Sequence, residues 1–247
     1  MNMISFIIPF MAGISTIIGY FPTYIPLRYQ NVVIGCSLAF SSGVMLMVSF
    51  ASLIPEAVFL LNSYSIYSKS ILIIIFFLCG GLLSSSMDCF ISSIISKNEL
   101  YKVGLISFAA LLLHNIPEGI TTFLATSQNI SLGLTISIAI AFHNIPEGIM
   151  IAIPIYYATK NRLKAFLYVL FAGFSELFGA IIAFLFLKNH LQPFLLAFIL
   201  SLTAGIMTFL AIFELLPKSL CCSYKKICIL AFFLGVMLMY CCIFILL

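Results

Sequence analysis

The hexapeptide HNIPEG occurs twice, at residues 114–119 and 143–148, so the two copies are 29 residues apart. On a helix, residues three and four apart share a face. His114 and Glu118 are four apart, Asn115 and Glu118 three, and the same spacing holds for His143, Asn144 and Glu147. Each copy therefore offers one imidazole nitrogen, one amide oxygen and one carboxylate along a stripe. Neutral imidazole with hard oxygens suits borderline divalent metals such as zinc, iron, manganese or cadmium. Oxygen alone would favour magnesium or calcium. Neither copy contains cysteine, which fits a site that must release its ion. Zinc-dependent proteolysis is a different chemistry and wants H-E-x-x-H, with the glutamate beside the first histidine as base. Here asparagine follows each histidine, and the glutamate stands where it would ligate.

The elements that carry these residues must cross a membrane. The 247-residue chain is 64% hydrophobic and 7% charged, with a mean hydropathy of +1.26, whereas a soluble domain carries about a quarter charged residues. Its partner is the lipid bilayer. The cations are scattered among short loops, so no nucleic acid is expected. Eight apolar stretches are long enough to span, roughly 4–21, 30–61, 70–96, 102–126, 131–158, 163–187, 192–217 and 226–247. The chain is thus predicted to be an all-α integral membrane protein, with residues 1–247 forming a single transmembrane domain. The first run lacks the marks of a cleavable signal and is taken as a span. Nothing resembles a nucleotide site. A non-transporting metal sensor would want a soluble effector domain, and none is expected. Of the eleven Lys and Arg, nine fall in one set of alternate loops and only Lys69 and Lys188 in the other. The richer set is expected in the cytoplasm, which puts both termini outside.

Within this frame the acids are informative. Glu118, Glu147 and Glu176 lie inside spans, where an ionised side chain costs at least ~2.5–3.5 kcal/mol. No Lys or Arg shares their depth, so a bound cation is the expected partner. Glu56 is near a span end, Glu99 lies in a loop, and His190 is expected to be solvated. Pro117 and Pro146 remove helical N–H groups, which should free the carbonyls of Leu113 and Phe142 and kink the helices. Gly119 and Gly148 permit close helix approach. Successive spans run antiparallel, so the two copies can face each other about a local two-fold axis. Most of the eight cysteines fall in spans as small hydrophobes, and the adjacent pair Cys221 and Cys222 is expected to be buried.

Residues 114–149, HNIPEGITTFLATSQNISLGLTISIAIAFHNIPEGI, resemble the fourth and fifth helices of the ZIP (Zrt/Irt-like) metal transporters, most of all the ZupT and GufA branch. The likeness continues in SSGVMLMVSFASLIPEA (41–57), FAGFSELFGA (171–180) and AGIMTFLAIFELLPKS (204–219). It implies eight helices in a 3+2+3 arrangement with both termini outside. It also implies transport of a divalent transition metal into the cytoplasm, zinc first, with iron, manganese and cadmium as further cargo candidates. The alternatives are an intramembrane metalloprotease and a non-transporting sensor. The resemblance implies no enzyme, no catalytic residue and no catalytic cofactor. Carried over, it implies a binuclear centre on helices four, five and six. One site would use His114, Glu118, His143 and Glu147 with Met45 as a weak thioether ligand. The other would use Asn115, Glu118, Asn144, Glu147 and Glu176, with Glu118 and Glu147 bridging. Ser52, Glu56 and Glu214 would mark the transport pathway. Ser52 stands where relatives often carry a carboxylate, and Phe213 where they often carry Asp or His. The family's histidine-rich loop between helices three and four is missing. The resemblance further implies a homodimer, in a plasma (inner) membrane rather than an organelle membrane, and a motion of helices 1, 4, 5 and 6 against 2, 3, 7 and 8.

Overall fold

The computed structural model describes residues 3–94, 98–187, 192–221 and 223–246. Lys97, Lys188, His190 and Cys222 lie outside them. Among the described residues eight helices are long and apolar enough to cross a membrane: α1 Ile4–Tyr24, α2 Gln30–Leu60, α3 Ile66–Ile94, α4 Glu99–Gln128, α5 Ile130–Thr159, α6 Arg162–Phe186, α7 Pro193–Leu220 and α8 Lys225–Ile245. No strand occurs among the described residues. The chain is an all-α, multi-pass integral membrane protein. With 30 residues each, α4 and α5 measure about 45 Å at 1.5 Å per residue, against a hydrocarbon core of about 30 Å. They must tilt or project beyond the core.

Asparagine sets the tight connections. The Asn98 side chain accepts the Tyr101 N–H at the start of α4 (3.1 Å). Asn129 accepts those of Ser131 and Leu132 (2.8 and 3.4 Å), and Asn161 accepts that of Lys164 (3.0 Å). Each such cap is worth ~1 kcal/mol of helix stability. Asn129 is the sole residue between α4 and α5, so these helices fold back side by side and antiparallel. Both run through Pro117 and Pro146 as single helices. Cys221 is exposed, not buried as expected, because it lies in the turn that follows α7.

Packing places α4 and α5 at the centre, flanked by α6 and α1 respectively, with α2 against α8 and α3 against α7, α3 and α8 being the outermost. This order has an internal two-fold symmetry that can be read residue by residue. Residues 12–19 are AGISTIIG and residues 172–179 are AGFSELFG. In both, the serine hydroxyl donates to the alanine carbonyl three residues back, Ser15 to Ala12 (2.6 Å) and Ser175 to Ala172 (2.5 Å). Residues 43–57, GVMLMVSFASLIPEA, match residues 205–219, GIMTFLAIFELLPKS. Both contain a widened π turn, at Ser49–Leu53 and Leu210–Leu215. In the same way FLCG (77–80) in α3 matches FFLG (232–235) in α8. Helices α1–α3 are therefore an inverted copy of α6–α8, and the same axis exchanges α4 with α5. Inverted repeats around a central site are a recurrent transporter plan.

The glycines of the hexapeptides sit at equivalent crossings. A Cβ on Gly119 would strike the Glu176 carbonyl of α6, and one on Gly148 the Thr16 carbonyl of α1. Such overpacking typically costs 1–3 kcal/mol. We expect Gly119→Val to lower the thermal midpoint of the purified protein. Gly81→Ala, whose new carbon would lie 4.0 Å from the Gly205 carbonyl, should leave it unchanged. Equal midpoints for the two variants would contradict this packing.

Candidate metal centre

The two hexapeptides meet at the α4–α5 crossing, and their closest polar contacts run between helices rather than along either one. His114 Nε2 lies 2.9 Å from Glu147 Oε1, and His143 Nε2 lies 3.2 Å from Glu118 Oε1. The internal axis relates the two pairs. His114 and Glu147 are fully inaccessible, while His143 and Glu118 are 5% and 4% exposed. One oxygen or nitrogen from each of His114, Glu118 and Glu147 lies within 4.8 Å of the others, a spacing one cation can bridge.

The pairs differ in one respect. His114 and Glu147 are aligned for a hydrogen bond. His143 Nε2 and Glu118 Oε1 are close but not aligned, and neither they nor Glu118 Oε2 has a hydrogen-bond partner among the described residues. Their donor atoms are thus uncommitted. The same half of the centre faces a cavity of about 450 Å³, lined by Glu118 and His143 together with Ser52 and Glu56 of α2, Thr121 and Gln128 of α4, and Thr203 of α7. The cavity extends to Leu60, Gln128 and Leu132 at the ends of α2, α4 and α5.

The asparagines are held by their nitrogens. Asn115 Nδ2 donates to the Ala172 carbonyl of α6 (3.1 Å). Asn144 Nδ2 donates to the Ala12 carbonyl of α1 (3.0 Å) and to Glu176 Oε2 (2.9 Å). These bonds fix each amide and leave Asn115 Oδ1 and Asn144 Oδ1 free of protein donors, as are Glu147 Oε2 and Glu176 Oε1. A buried polar atom without a partner is costly. Here the orphaned oxygens are all acceptors, and a cation is the group that satisfies acceptors. The donor set fits a divalent metal of the zinc type.

Of the other expected site residues, Met45 is fully buried and belongs to the main apolar cluster with Leu111 and Met150. Glu214 does not line the cavity and is held 2.5 Å from Lys218, one turn on in α7. Asp88 of α3 pairs with Lys102 of α4 at 3.7 Å. Sequence reasoning missed the Ala12 and Ala172 carbonyls that aim the amides. It also missed Ser41, whose hydroxyl donates to the Pro146 carbonyl (2.6 Å), and the lining residue Thr203. The AGxS repeat was the available signal for the first two.

A buried, acceptor-rich centre in mid-membrane, reached by a cavity, defines an intramembrane ion-handling protein. Residues 95–242 match the profile of the ZIP Zinc transporter family. The chain is 37% identical over 236 residues to the zinc transporter ZupT of Oceanobacillus iheyensis, covering 88% of each. It is 39% identical over 228 residues to that of Chlorobium phaeovibrioides, covering 85% of each. To that of Akkermansia muciniphila it is 32% identical over 257 residues, covering 96% of this chain and 95% of the relative. The chain belongs to the ZIP zinc transporter family, in its ZupT branch.

Removing one member of a buried ion pair strands the other, at about 3–5 kcal/mol, whereas replacing both with apolar groups is often near neutral. In metal-free protein, His114→Leu should therefore lower the unfolding midpoint more than the double change His114→Leu with Glu147→Leu. Combining His114→Leu with Asp88→Leu, whose ion-pair partner is Lys102 rather than Glu147, should give additive losses. Additivity for His114 and Glu147 would contradict the cross-helix pairing.

Proposed function

We propose that this protein carries a divalent transition metal, zinc first, into the cytoplasm through a binuclear centre on α4, α5 and α6. The observation that carries the reading is the reciprocal His–Glu pairing at the α4–α5 crossing, ringed by buried oxygens without protein donors. His114, Glu118, His143 and Glu147 form one site. Asn115, Asn144 and Glu176 complete the second, with Glu118 and Glu147 shared. Three carboxylates offset most of the charge of two divalent ions. The names of the curated relatives support zinc, and imidazole with hard oxygens also admits iron, manganese and cadmium.

The basic bias supports the orientation. Nine of the eleven cations belong to one set of loops, which favours the cytoplasm for that side and the outside for both termini. The cavity reaches the helix ends on the opposite, cation-poor side, so metal arrives from outside past Glu56 and Ser52 and meets Glu118 and His143 first. The relatives are bacterial, which goes with a plasma-membrane location, and the family likeness supports a homodimer in the bilayer.

Zinc uptake into proteoliposomes tests the reading, with iron, manganese and cadmium as competitors. Glu118→Ala and Glu147→Ala should reduce uptake to background while the proteins insert normally, because each strips a carboxylate from two ions. Asn115→Ala and Glu176→Ala should lower the rate less or alter the competition order. Near-normal uptake by Glu118→Ala would contradict the shared centre.

A further inference from the structure

The internal two-fold assigns a partner position to every residue of the cavity, and those partners describe a second route that is shut. Ser52 and Glu56 map onto Glu214 and Lys218, Gln128 onto Tyr157, Ile136 onto Ser107, and Ile243 onto Asp88. None of these partners lines the cavity. Ser107 is fully buried and Tyr157 is 3% exposed. Their hydroxyls have no hydrogen-bond partner among the described residues. Partnerless hydroxyls in a tightly packed apolar core are costly, and symmetry supplies their use: they are the polar lining of a route closed in this conformation.

The contacts that close it are equally specific. On the shut side Ser41 donates to the Pro146 carbonyl at 2.6 Å. On the open side its partner position, Thr203, has an uncommitted hydroxyl and lines the cavity with Pro117, the partner of Pro146. On the shut side both carboxylates hold a lysine, Glu214 with Lys218 at 2.5 Å and Asp88 with Lys102 at 3.7 Å. On the open side Glu56 is exposed and has no ion-pair partner among the described residues.

We propose that Glu214, Ser107, Tyr157 and Asp88 line the release route from His114 and Glu147, and that Lys218 is its gate. Lys218 is a tethered cation that occupies Glu214 while the route is shut and yields it when the route opens. This rests on the transport reading above. In the opened form the Ser41–Pro146 bond breaks and Thr203 donates to the Pro117 carbonyl. Glu214 is then free to take the departing metal. Deleting the Lys218 charge strands a buried carboxylate in the shut form only, so it favours the open one.

Matched cysteines read this out. Ser107→Cys reports the shut route and Ile136→Cys its open counterpart. Each is introduced into the full-length protein in proteoliposomes, and modification by a water-soluble maleimide is quantified at that residue by peptide mass spectrometry. With Lys218 intact, position 136 should react quickly and position 107 slowly. Lys218→Met should raise the rate at 107 by about tenfold or more and lower it at 136, as expected when one of two conformations loses the partner of a buried charge. Lys218→Arg should restore the original pattern, and Ser41→Ala should shift it in the same direction as Lys218→Met but less. An unreactive position 107 in Lys218→Met, fast reaction at 107 with Lys218 intact, or a joint rise at both positions would each overturn the gate. The joint rise would mean that the ion pair merely holds the fold together. Labelling needs no metal, so the two readings fail separately. Exchange of reactivity without zinc uptake by the unsubstituted protein sinks the transport reading alone. Zinc uptake with position 107 always unreactive sinks the gate alone.

Discussion

No water is available in the middle of a bilayer to solvate a carboxylate, and this chain places three of them there. The rest of the architecture follows from that constraint. Isolated, each would cost several kcal/mol. Across the α4–α5 crossing, the glutamate of each hexapeptide faces the histidine of the other copy. The pairing requires antiparallel helices in fixed register, which the one-residue connection at Asn129 provides. It also requires α1 and α6 to come close enough for the Ala12 and Ala172 carbonyls to hold the asparagine amides. Gly148 and Gly119 make that approach sterically feasible. Packing and site chemistry are therefore one problem with one solution, used twice.

Function enters where the two uses differ. The His114–Glu147 half is sealed and hydrogen-bonded, while the Glu118–His143 half meets the cavity with uncommitted atoms. An exactly two-fold structure would be open on both sides or on neither. Here Thr16 stands where Glu176 stands, Ser52 where Glu214 stands, and Glu56 where Lys218 stands. The third buried carboxylate thus lies on α6 alone, and a lysine-held carboxylate lies on one side alone. A near-symmetric frame with such substitutions can prefer one opening without losing access to the other.

Much of this was legible in the sequence. The eight spans follow from hydropathy, and the repeated hexapeptide declared its chemistry through residue types and spacing. Glu176 stood out because a carboxylate in a span without a basic neighbour demands a partner. Helical spacing spoke only of the stripe that each copy presents, whereas the closest His–Glu contacts cross between helices. Register between helices is set by packing, which i, i+4 arithmetic does not contain. The AGxS repeat escaped notice because Ala, Gly and Ser in a span look like ordinary packing residues; their meaning lies in which carbonyl they expose. The Glu214–Lys218 ion pair was also legible, because Lys218 follows four residues later. That spacing alone is enough for an ion pair.

The central claim is that two ions share the buried glutamates at the crossing. Anomalous diffraction at the zinc edge from crystals grown with zinc tests it most directly. The account predicts two zinc peaks per chain, both at bonding distance, about 2.0–2.2 Å for a carboxylate oxygen, from Glu118 and Glu147. One peak should also touch His114 and His143, and the other Asn115, Asn144 and Glu176. A single ion held at Glu56 or another rim residue, with none between α4 and α5, would contradict it.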